Sequence, residues 1–452
     1  MAKDIKKFCH PDYAKYMQDY EKIRDCYEGE RAIKDKGVKY LKRLKAQSQE
    51  DYDNYLFRAL FFPITGKTVT SMVGMATTKP PEVKYPADME KYFVDTEPGY
   101  QFTETYVSTF SEVTLMGRYG ILIDAPMLGD PYPTAYLAEN IVNWRLDSST
   151  KLPVMLLLRE CRVVPGEDQF EMVEVVQYRH CFMNGGIYYQ EVLDDDLKVV
   201  IPAFAPTFSG VTIDFIPFTV IGATGIHMEA DKPPMLDIST INISHYLTSA
   251  DLEWGRHIVG LPTPVVSGVD SSTKLSIGGT SAWILPVVEA KAFYLEFQGQ
   301  GLKSLEYAMT EKVGLMATMS ARLVDSSTRG SEAAETVKLR YMSESASLIH
   351  IISSVETGMR LVYTMLAKLK KASGPVTMTF SREILGINIT FKDLEILFEA
   401  YLNGEISRES LLYNMRRLDA VDPSRTDQEE LDAIKDPPPK PSPTPAAPQP
   451  TR

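Results

Sequence analysis

The residues of this chain that could support chemistry are few, and their spacing argues against catalysis. Residues 66–68 read Gly-Lys-Thr, like the end of a phosphate-binding loop, but the position that needs a glycine holds Phe61. The segment also lies in a predicted helix, so no nucleotide site is expected there. His245 and His257 share another predicted helix but lie 12 residues apart. That is more than three turns, too far for the two imidazoles to bind one metal ion.

The remaining polar clusters are equally poor candidates for a site. His180 and Cys181 are adjacent at the end of a predicted strand, so their side chains point to opposite faces and cannot form a dyad. Residues 194–196 are three aspartates in a predicted turn, without the ligand spacing of a calcium loop. The sequence therefore predicts no enzyme, no cofactor and no metal site. A soluble enzyme built on Asp124, Glu174 and His180 is an alternative that stays open.

The composition is that of a large chain with more than one globular region. A chain of 452 residues is too long to fold around one simple hydrophobic core, so two or three packed regions are expected. Hydrophobic residues make up 44% and charged residues 24%, which is ordinary for a soluble protein. No uncharged apolar run reaches the ~18 residues that a membrane helix needs. The lysines near the N-terminus precede no apolar segment, so no signal peptide is expected either.

The net charge and the positions of the cysteines limit which ligands and cross-links are expected. The formal net charge is -12, whereas a protein that grips duplex DNA needs a basic surface, so specific DNA binding is not expected. An acidic surface would suit a channel through which DNA slides, and it would equally serve solubility. The four cysteines form no CxxC pair, which argues against a disulfide framework or a zinc site. They are Cys9, Cys26, Cys161 and Cys181.

Hydrophobic periodicity predicts helices at the beginning of the chain and strands after them, an α+β organisation. Between the first two helices, residues 31–45 carry seven Lys or Arg against one Asp. This stretch is interpreted as a solvated surface, with an acidic partner or a phosphate backbone as the alternative. The predicted helices are residues 11 to about 30, 51 to about 77 with a kink or break at Pro63, and 102–116. The predicted strands are 120–124, 134–138, 154–161, 172–179, 187–193 and 217–222, with a hairpin turn at 184–186.

The second half of the chain has an unusual order of elements. Two predicted helices flank a short region of strands and turns. One helix that leads away from the rest of the chain and a second that returns are typical of a part that lines or spans a larger structure. A later helix of roughly 40 residues would be about 60 Å long, which suggests an elongated subunit or packing between subunits. The predicted order is helix 236–258, strands and turns 261–295, helix 301–324, polar loop 325–330, helix 331–372, strands 377–380 and 387–391, helices 393–403 and 407–418, and a Pro-rich tail 437–452.

Several runs of this sequence resemble the portal proteins of tailed bacteriophages, the head-to-tail connectors. The most specific is PPMLDISTINISHYLTSADLEWGRHIVGLPTP at residues 233–264. RALFFPITGKTVTSMVGMATTKPP at 58–81 resembles the N-terminal wing helix of that family. GRYGILIDAP at 117–126 and NIVNWR at 140–145 resemble its wing core. With the order of the intervening elements, the resemblance extends over most of the chain before the Pro-rich tail.

The resemblance implies a portal-like α+β subunit with long helices that assembles into a ring, typically a dodecamer. Its parts would be a wing at residues 1–235, stem helices at 236–260 and 299–324, and a clip between them at 261–298. A tunnel loop at 325–330 would precede a long wing helix with strands at 331–385, a small helical crown at 386–436 and a disordered tail at 437–452.

The resemblance also implies functional residues and partners at the virion's portal vertex. The ring would be a channel for double-stranded DNA, bound without sequence preference, and a platform for the terminase large subunit and a head-tail adaptor. It would also meet the major capsid and scaffolding proteins in the host cytoplasm, and no membrane. The alternative is another virion component, of the tail or baseplate. The DNA-facing candidates are Asp325, Ser326, Ser327, Thr328, Arg329 and Gly330. The adaptor- and terminase-facing candidates are Ser267, Asp270, Ser271, Lys274 and Trp283.

Overall fold

A computed structural model shows a mixed α+β chain. It describes residues 8–43, 45–94, 102–125, 130–168, 170–260, 263–268, 291–295, 301–324, 346–382 and 391–417, with the single positions 421 and 429. The chain divides into two units, Met1–Arg382 and Glu383–Arg452. Each is treated separately below.

Several helices of the first unit bury one stripe of side chains, as in α1, where Tyr13, Tyr20 and Ile23 are buried at helical spacing. The helices are α1 Pro11–Glu28, α2 Glu30–Asp35, α3 Gln49–Arg58, α4 Ile64–Ala76, α5 Phe102–Met116, α6 Leu236–Gly260, α7 Leu302–Val324 and α8 Ala346–Lys370.

All strand pairs of the described residues are antiparallel. The larger sheets are a three-stranded one in the order β11-β2-β3 and a five-stranded one in the order β4-β5-β6-β7-β8. The strands are β1 Glu82–Lys84, β2 Arg118–Asp124, β3 Tyr132–Leu137, β4 Ile141–Leu146, β5 Pro153–Pro165, β6 Met172–Asn184, β7 Ile187–Asp194, β8 Val199–Phe204, β9 Thr207–Phe208, β10 Val211–Thr212, β11 Phe218–Gly222, β12 Thr263–Ser267, β13 Lys291–Leu295 and β14 Thr377–Thr379.

The core of the first unit forms where α5 and α8 cover the three-stranded sheet. Every residue of β2 and of β11 is buried, including the charged residues Arg118 and Asp124 at the two ends of β2. Gly358 in the middle of α8 allows close approach, because a Cβ there would lie 2.5 Å from Cγ1 of Ile221. This glycine therefore serves packing and does not end the helix. The last turn of α8 ends instead at Lys371, whose φ is 60°.

The five-stranded sheet is a meander whose tightest turn was predicted from sequence. Asn184 and Ile187 are paired across the β6–β7 turn, and the two residues between them, Gly185 and Gly186, have φ values of 58° and 77°. Two positive φ values in a two-residue turn match the type I′ geometry that suits the twist of a hairpin.

Two strands of this sheet extend beyond their neighbours and form an arm. β4 pairs with β5 only as far as Leu158, and β7 pairs with β6 only from Gln177 onwards. Residues 161–165 and 172–176 therefore continue as a two-stranded ribbon, here called the arm together with the turn that joins them. The sequence predicts a half-buried strand from the alternation at 172–179, but residues 172–175 are all exposed. The alternation is real, but no layer of the described chain covers either face at this end.

The break expected at Pro63 in the helix predicted over 51–77 is confirmed, since α3 ends at Arg58 and α4 begins at Ile64, directly after Pro63. Other differences from the sequence-based expectations have local causes. β4 and β8 were not predicted as strands. The basic stretch at 31–45 is not wholly solvated, since Ile33, Tyr40 and Leu41 are buried anchors. Residues 331–345 of the predicted long helix lie outside the described residues.

The second unit contains a helix pair, as the sequence predicts. The helices are α9 Phe391–Leu402 and α10 Arg408–Arg417. Gly404, with a φ of 78°, makes the turn between them, and the hydroxyl of Ser407 caps α10 by accepting from the amide of Ser410 at 3.1 Å. Phe391 begins α9, so its assignment to a predicted strand was wrong. The rest of that strand, 387–390, and the Pro-rich tail lie outside the described residues.

Candidate functional site

The helix pair α6–α7 is the candidate site, and cross-helix contacts fix its antiparallel register. The Arg256 guanidinium donates to Glu306 Oε1 at 2.8 Å. Lys312 Nζ donates to the carbonyl oxygen of Ser244 at 3.0 Å and also contacts Thr248 Oγ1. A residue further along α6 therefore meets one earlier along α7, as antiparallel helices require. Near the end of α6 and the start of α7, a Cβ on Gly255 would lie 2.5 Å from Leu302 Cδ2. This glycine therefore lets the two helices approach closely.

The first half of α6 is rooted in the core of the first unit. The Asn242 side chain donates to the carbonyl oxygen of Phe62 at 2.8 Å and accepts from Thr65 Oγ1 at 3.0 Å. The Tyr246 ring packs edge-on against Phe61, with centroids 6.0 Å apart. The end of α6 is different, because residues 258–260 are exposed. The helix therefore starts in the core and leaves it toward α7 and the strands beyond.

The two helices expose apolar side chains where they leave the core. Inward positions of α7 repeat at helical spacing, with Met316 fully buried. Its other face is not polar throughout, since Tyr307 is 67% and Leu315 is 53% exposed. Ile258 and Val259 of α6 are exposed as well. Both helices therefore carry exposed apolar side chains that are available for contact with another protein.

His245 lies at the inner end of the pair, where its surroundings disfavour the charged form of the imidazole. It is buried, and this burial lowers its pKa from the ordinary value of 6.5, with a smaller lowering effect from the Lys312 ammonium. His257 is three turns away and contacts the Trp254 ring at a centroid distance of 5.8 Å. The two histidines are thus separate, as their spacing predicts. The described part of the chain contains no group of three or more His, Cys, Asp or Glu side chains able to hold a metal ion.

Beyond the helix pair, β12 and β13 form a two-stranded antiparallel ribbon, with Ser267 opposite Lys291. Ser267 is exposed, and of the predicted adaptor- and terminase-facing residues only this one is described. Asp270, Ser271, Lys274 and Trp283 lie outside the described residues. The same holds for the whole predicted DNA-facing loop, residues 325–330. The structure thus describes the frame around both predicted sites.

The alternative catalytic set of Asp124, Glu174 and His180 is not brought together. Asp124 Oδ2 accepts from Arg179 Nη1 at 2.6 Å, so it faces the side of β6 opposite to the neighbouring His180. His180 Nδ1 lies instead 2.8 Å from Glu191 Oε1. Glu174 is six residues earlier on β6, about 20 Å away at 3.3 Å per residue. These three side chains form no common site.

The remaining sequence candidates also have structural roles. Cys181 is buried, and desolvation raises the pKa of its thiol to about 12, far from a reactive thiolate. Gly66, Lys67 and Thr68 lie in the first two turns of α4 and not in a loop, and the neighbouring Thr65 and Lys67 amides are already bonded to Asn242 Oδ1 and to the Pro63 carbonyl oxygen. Asp194 accepts from the Lys198 amide at 2.8 Å and closes the predicted turn.

Two features of the molecule were missed by sequence reasoning. The contacts of Arg256 and Lys312 across the helix pair could have been found by aligning α6 and α7 antiparallel and searching for opposite charges and polar pairs. The exposed arm gives a weaker signal: an apolar strand pattern interrupted by Glu167, Asp168 and Glu171. Nothing in the sequence alone shows that the sheet ends before these residues.

The comparisons with known proteins find distant likenesses. A family model described as "Domain of unknown function (DUF4055)" matches residues 234–369, a stretch that contains α6, α7 and most of α8. No curated protein matches. Among the described helices, none is long and apolar enough to cross a membrane.

The chain is similar to chains in three solved structures. One is "Neck of empty GTA particle computed with C6 symmetry", at 12% identity and a TM-score of 0.40, covering 80% of this chain and 90% of that one. Another is "Virion of native gene transfer agent (GTA) particle", at 12% identity and 0.40, covering 86% and 99%. A third is "Neck of native GTA particle computed with C12 symmetry", at 13% identity and 0.37, covering 84% and 97%. The likeness is distant, so the function is argued from the geometry of this chain.

Proposed function

We propose that this chain is the portal subunit of a tailed bacteriophage. Copies of it form a ring, a dodecamer, at one vertex of the capsid, and double-stranded DNA passes through the ring during packaging and ejection. The ring is also the platform on which the terminase and a head-tail adaptor dock. Residues 236–260 and 299–324 form the stem, 261–298 the clip, and 325–330 the loop that faces DNA.

One observation carries this proposal: an antiparallel helix pair that leaves the core and ends in a β-ribbon. α6 is rooted by Asn242 and Tyr246, and the contacts of Arg256 and Lys312 with the facing helix fix its register with α7. β12 and β13 continue from the far end of the pair. The exposed apolar residues of both helices supply surface for neighbouring subunits. The resemblance of residues 233–264 to the portal family agrees with this arrangement.

The chain's chemistry fits a passive role in this proposal. The polar clusters that the described residues contain are structural, and the net charge is -12, which disfavours tight binding of DNA to the channel. ATP hydrolysis belongs to the terminase motor, and the portal holds no cofactor. Contacts with DNA are made to backbone phosphates, without sequence preference.

The native mass of the purified protein, with negative-stain images of the same sample, tests the proposal. Twelve chains of 50.7 kDa give about 608 kDa, and top views are expected to show a ring with a central hole. A protein that stays monomeric or dimeric, alone and together with its capsid and scaffolding proteins, would contradict it. Absence of ATPase activity in the same preparation is expected, because hydrolysis is assigned to the motor.

A further inference from the structure

The arm of the five-stranded sheet carries apolar side chains that its own chain leaves uncovered. Val163 and Val173 are paired with Glu174 and Val164 respectively, so they lie on opposite faces of the ribbon. Both are exposed, as are Met172 and Val175. A two-stranded ribbon cannot bury side chains on both of its faces by itself. A partner that contacts the arm is therefore needed to remove this surface from water.

The described residues of the turn at the end of the arm are joined by hydrogen bonds and present one large aromatic side chain. The Gly166 amide donates to the Glu171 carbonyl oxygen at 2.8 Å, and the Glu171 amide donates to the Asp168 carbonyl oxygen at 3.0 Å. Asp168 Oδ1 accepts from the Phe170 amide at 2.9 Å. These bonds fix the backbone around Phe170, whose side chain is 85% exposed. An exposed aromatic side chain of this size can act as the anchor residue of an interface.

The arm is also acidic around this apolar surface. Four carboxylates against one guanidinium give the exposed part of the arm a net negative charge. The acidic residues are Glu167, Asp168, Glu171 and Glu174, and the basic one is Arg162. The complementary partner is therefore an apolar surface surrounded by positive charge.

The same chain has such a surface at α2 and the turn that follows it, residues 30–43. Glu21 pairs with Lys36 at 3.0 Å and also with Lys39, and Glu30 pairs with Lys34 at 2.7 Å. Within residues 30–43, the ion pairs among the described residues leave three cations without an acidic partner. They are Arg31, Lys42 and Arg43, all exposed.

Exposed apolar side chains occur in the same segment and on the helix packed against it. Val38 is 56% and Phe57 is 78% exposed, and Lys34 Nζ donates to the Phe57 carbonyl oxygen at 3.1 Å, which places α3 next to this segment. We call the surface formed by Arg31, Val38, Lys42, Arg43 and Phe57 the basic patch. Both the arm and the basic patch are exposed in one and the same chain, so they do not cover each other within a subunit.

We propose that the arm of one copy of this chain docks on the basic patch of a second copy, with Phe170 as the apolar anchor. The two surfaces differ, so the contact is head-to-tail, the type that closes into rings. The inference rests on the proposed ring, for which it names a contact between adjacent subunits. Because exposed ion pairs contribute to the contact, assembly should weaken as salt rises.

Charge reversal on both sides tests the pairing. The arm variant is Glu167→Lys with Glu174→Lys, and the patch variant is Lys42→Glu with Arg43→Glu. Each alone should weaken assembly about tenfold, and a chain carrying all four changes should regain most of it, because the charges again attract. Mass photometry across a concentration series measures this. The matched control is Asp214→Lys, an exposed acid outside the arm. Single-side variants that assemble like this control, or a combined variant no better than either, would overturn the inference.

A cysteine experiment keeps the inference testable even if the unmodified chain forms no ring. Cys161 lies on the arm and is exposed, so the background is Cys161→Ser. A chain with Phe170→Cys is mixed under mild oxidation with a mass-tagged chain carrying Val38→Cys. The expected product is a mixed disulfide dimer, at least about tenfold more abundant than with Asp214→Cys in place of Phe170→Cys. Equal yields would overturn the docking. Rings without this product would leave the portal proposal standing, and the product without rings would contradict only the portal proposal.

Discussion

At the residue scale, Trp144 holds two cation-forming side chains on its opposite faces. The His10 ring is stacked on the indole at a centroid distance of 3.9 Å, and the Arg118 guanidinium carbon lies 4.1 Å from the indole centroid. Two groups this close to one ring must occupy different faces. Arg118 is almost fully buried and donates to the Met228 carbonyl oxygen at 2.9 Å. The stack ties the beginning of the chain to β4.

The protonation of His10 is unfavourable in this setting. Its Nδ1 accepts from the Asp12 amide at 3.2 Å and caps α1, a role that needs the neutral ring. Burial lowers the pKa of His10 from its ordinary value of 6.5. The Arg118 charge lowers it further, while Asp12 and Glu229 act in the opposite direction. The pKa of His245 is lowered too, by burial and by Lys312.

These lowered pKa values predict a loss of stability in mild acid. Between the folded pKa and 6.5 the unfolded chain binds more protons than the folded chain, so the free energy of unfolding rises with pH in this window. The free energy of unfolding, measured by urea denaturation, should therefore fall as the pH is lowered from 7.5 to 5.5.

The variants His10→Asn and His245→Gln should each reduce this fall. Asparagine retains an acceptor for the helix cap but does not titrate. The matched control is His257→Gln. A pH dependence unchanged in both His10 and His245 variants would show that carboxylates alone account for the acid sensitivity.

At the scale of elements, the packing of α8 on the three-stranded sheet depends on Gly358. A Cβ at this position would meet three atoms of the Ile221 side chain within 3.0 Å, and Ile221 is fully buried. The helix therefore lies closer to the sheet than any other residue would allow. Gly314 in α7 differs, because a Cβ there would meet nothing within 4 Å.

Replacing each glycine with alanine should therefore give effects of opposite sign. Gly358→Ala should lower the free energy of unfolding by about 1–3 kcal/mol, because overpacking outweighs the better helix propensity. Gly314→Ala should raise it by about 0.5–1 kcal/mol through helix propensity alone. Chemical denaturation of the two variants beside the unmodified chain measures both. Stabilisation by Gly358→Ala would contradict this prediction, because it would mean that the Ile221 side chain moves aside without a cost in the free energy of unfolding.

The helices and most strands were predictable because their signals are local. The helix at Phe102–Met116 ends at Gly117, whose φ is 71°, and the turn at Gly185 and Gly186 follows from its residue types. The register of α6 against α7 was not predicted, although Arg256 and Glu306 are visible in the sequence. A contact between residues 50 positions apart depends on which helices meet.

The arm and the edge strand β8 were missed for a different reason. An alternating strand is recognised by its pattern, and Met172–Asn184 has that pattern for part of its length. Whether a strand is covered depends on the length of its neighbours. Here β7 stops at Asp194, opposite Gln177, and leaves the first residues of β6 uncovered. The roles of the clip and tunnel-loop residues, Ser267 included, remain predictions.

At the scale of the whole molecule, the acidic charge predicts weak interaction with free DNA. The net charge of -12 repeats in every subunit of the proposed ring, and duplex binding requires cations that displace counterions. The purified ring should therefore leave a linear double-stranded fragment unshifted in a gel-mobility assay at physiological salt. The same DNA fragment mixed with a basic DNA-binding protein is the positive control. A stable shift that disappears at high salt would contradict this prediction and show that the ring presents a basic surface to DNA.

The edge strand β8 has a consequence for how the chain can be produced and stored. All six of its residues are exposed, and they include Val199, Val200 and Ile201. Pro202 interrupts the row of backbone donors, a known protection against unwanted strand pairing, and the arm has Pro165 and its charged residues for the same purpose. Free subunits at high concentration therefore risk irregular aggregation through these uncovered strands. Prompt incorporation into an ordered particle would protect the chain, and low temperature, dilution and short expression times would favour soluble material.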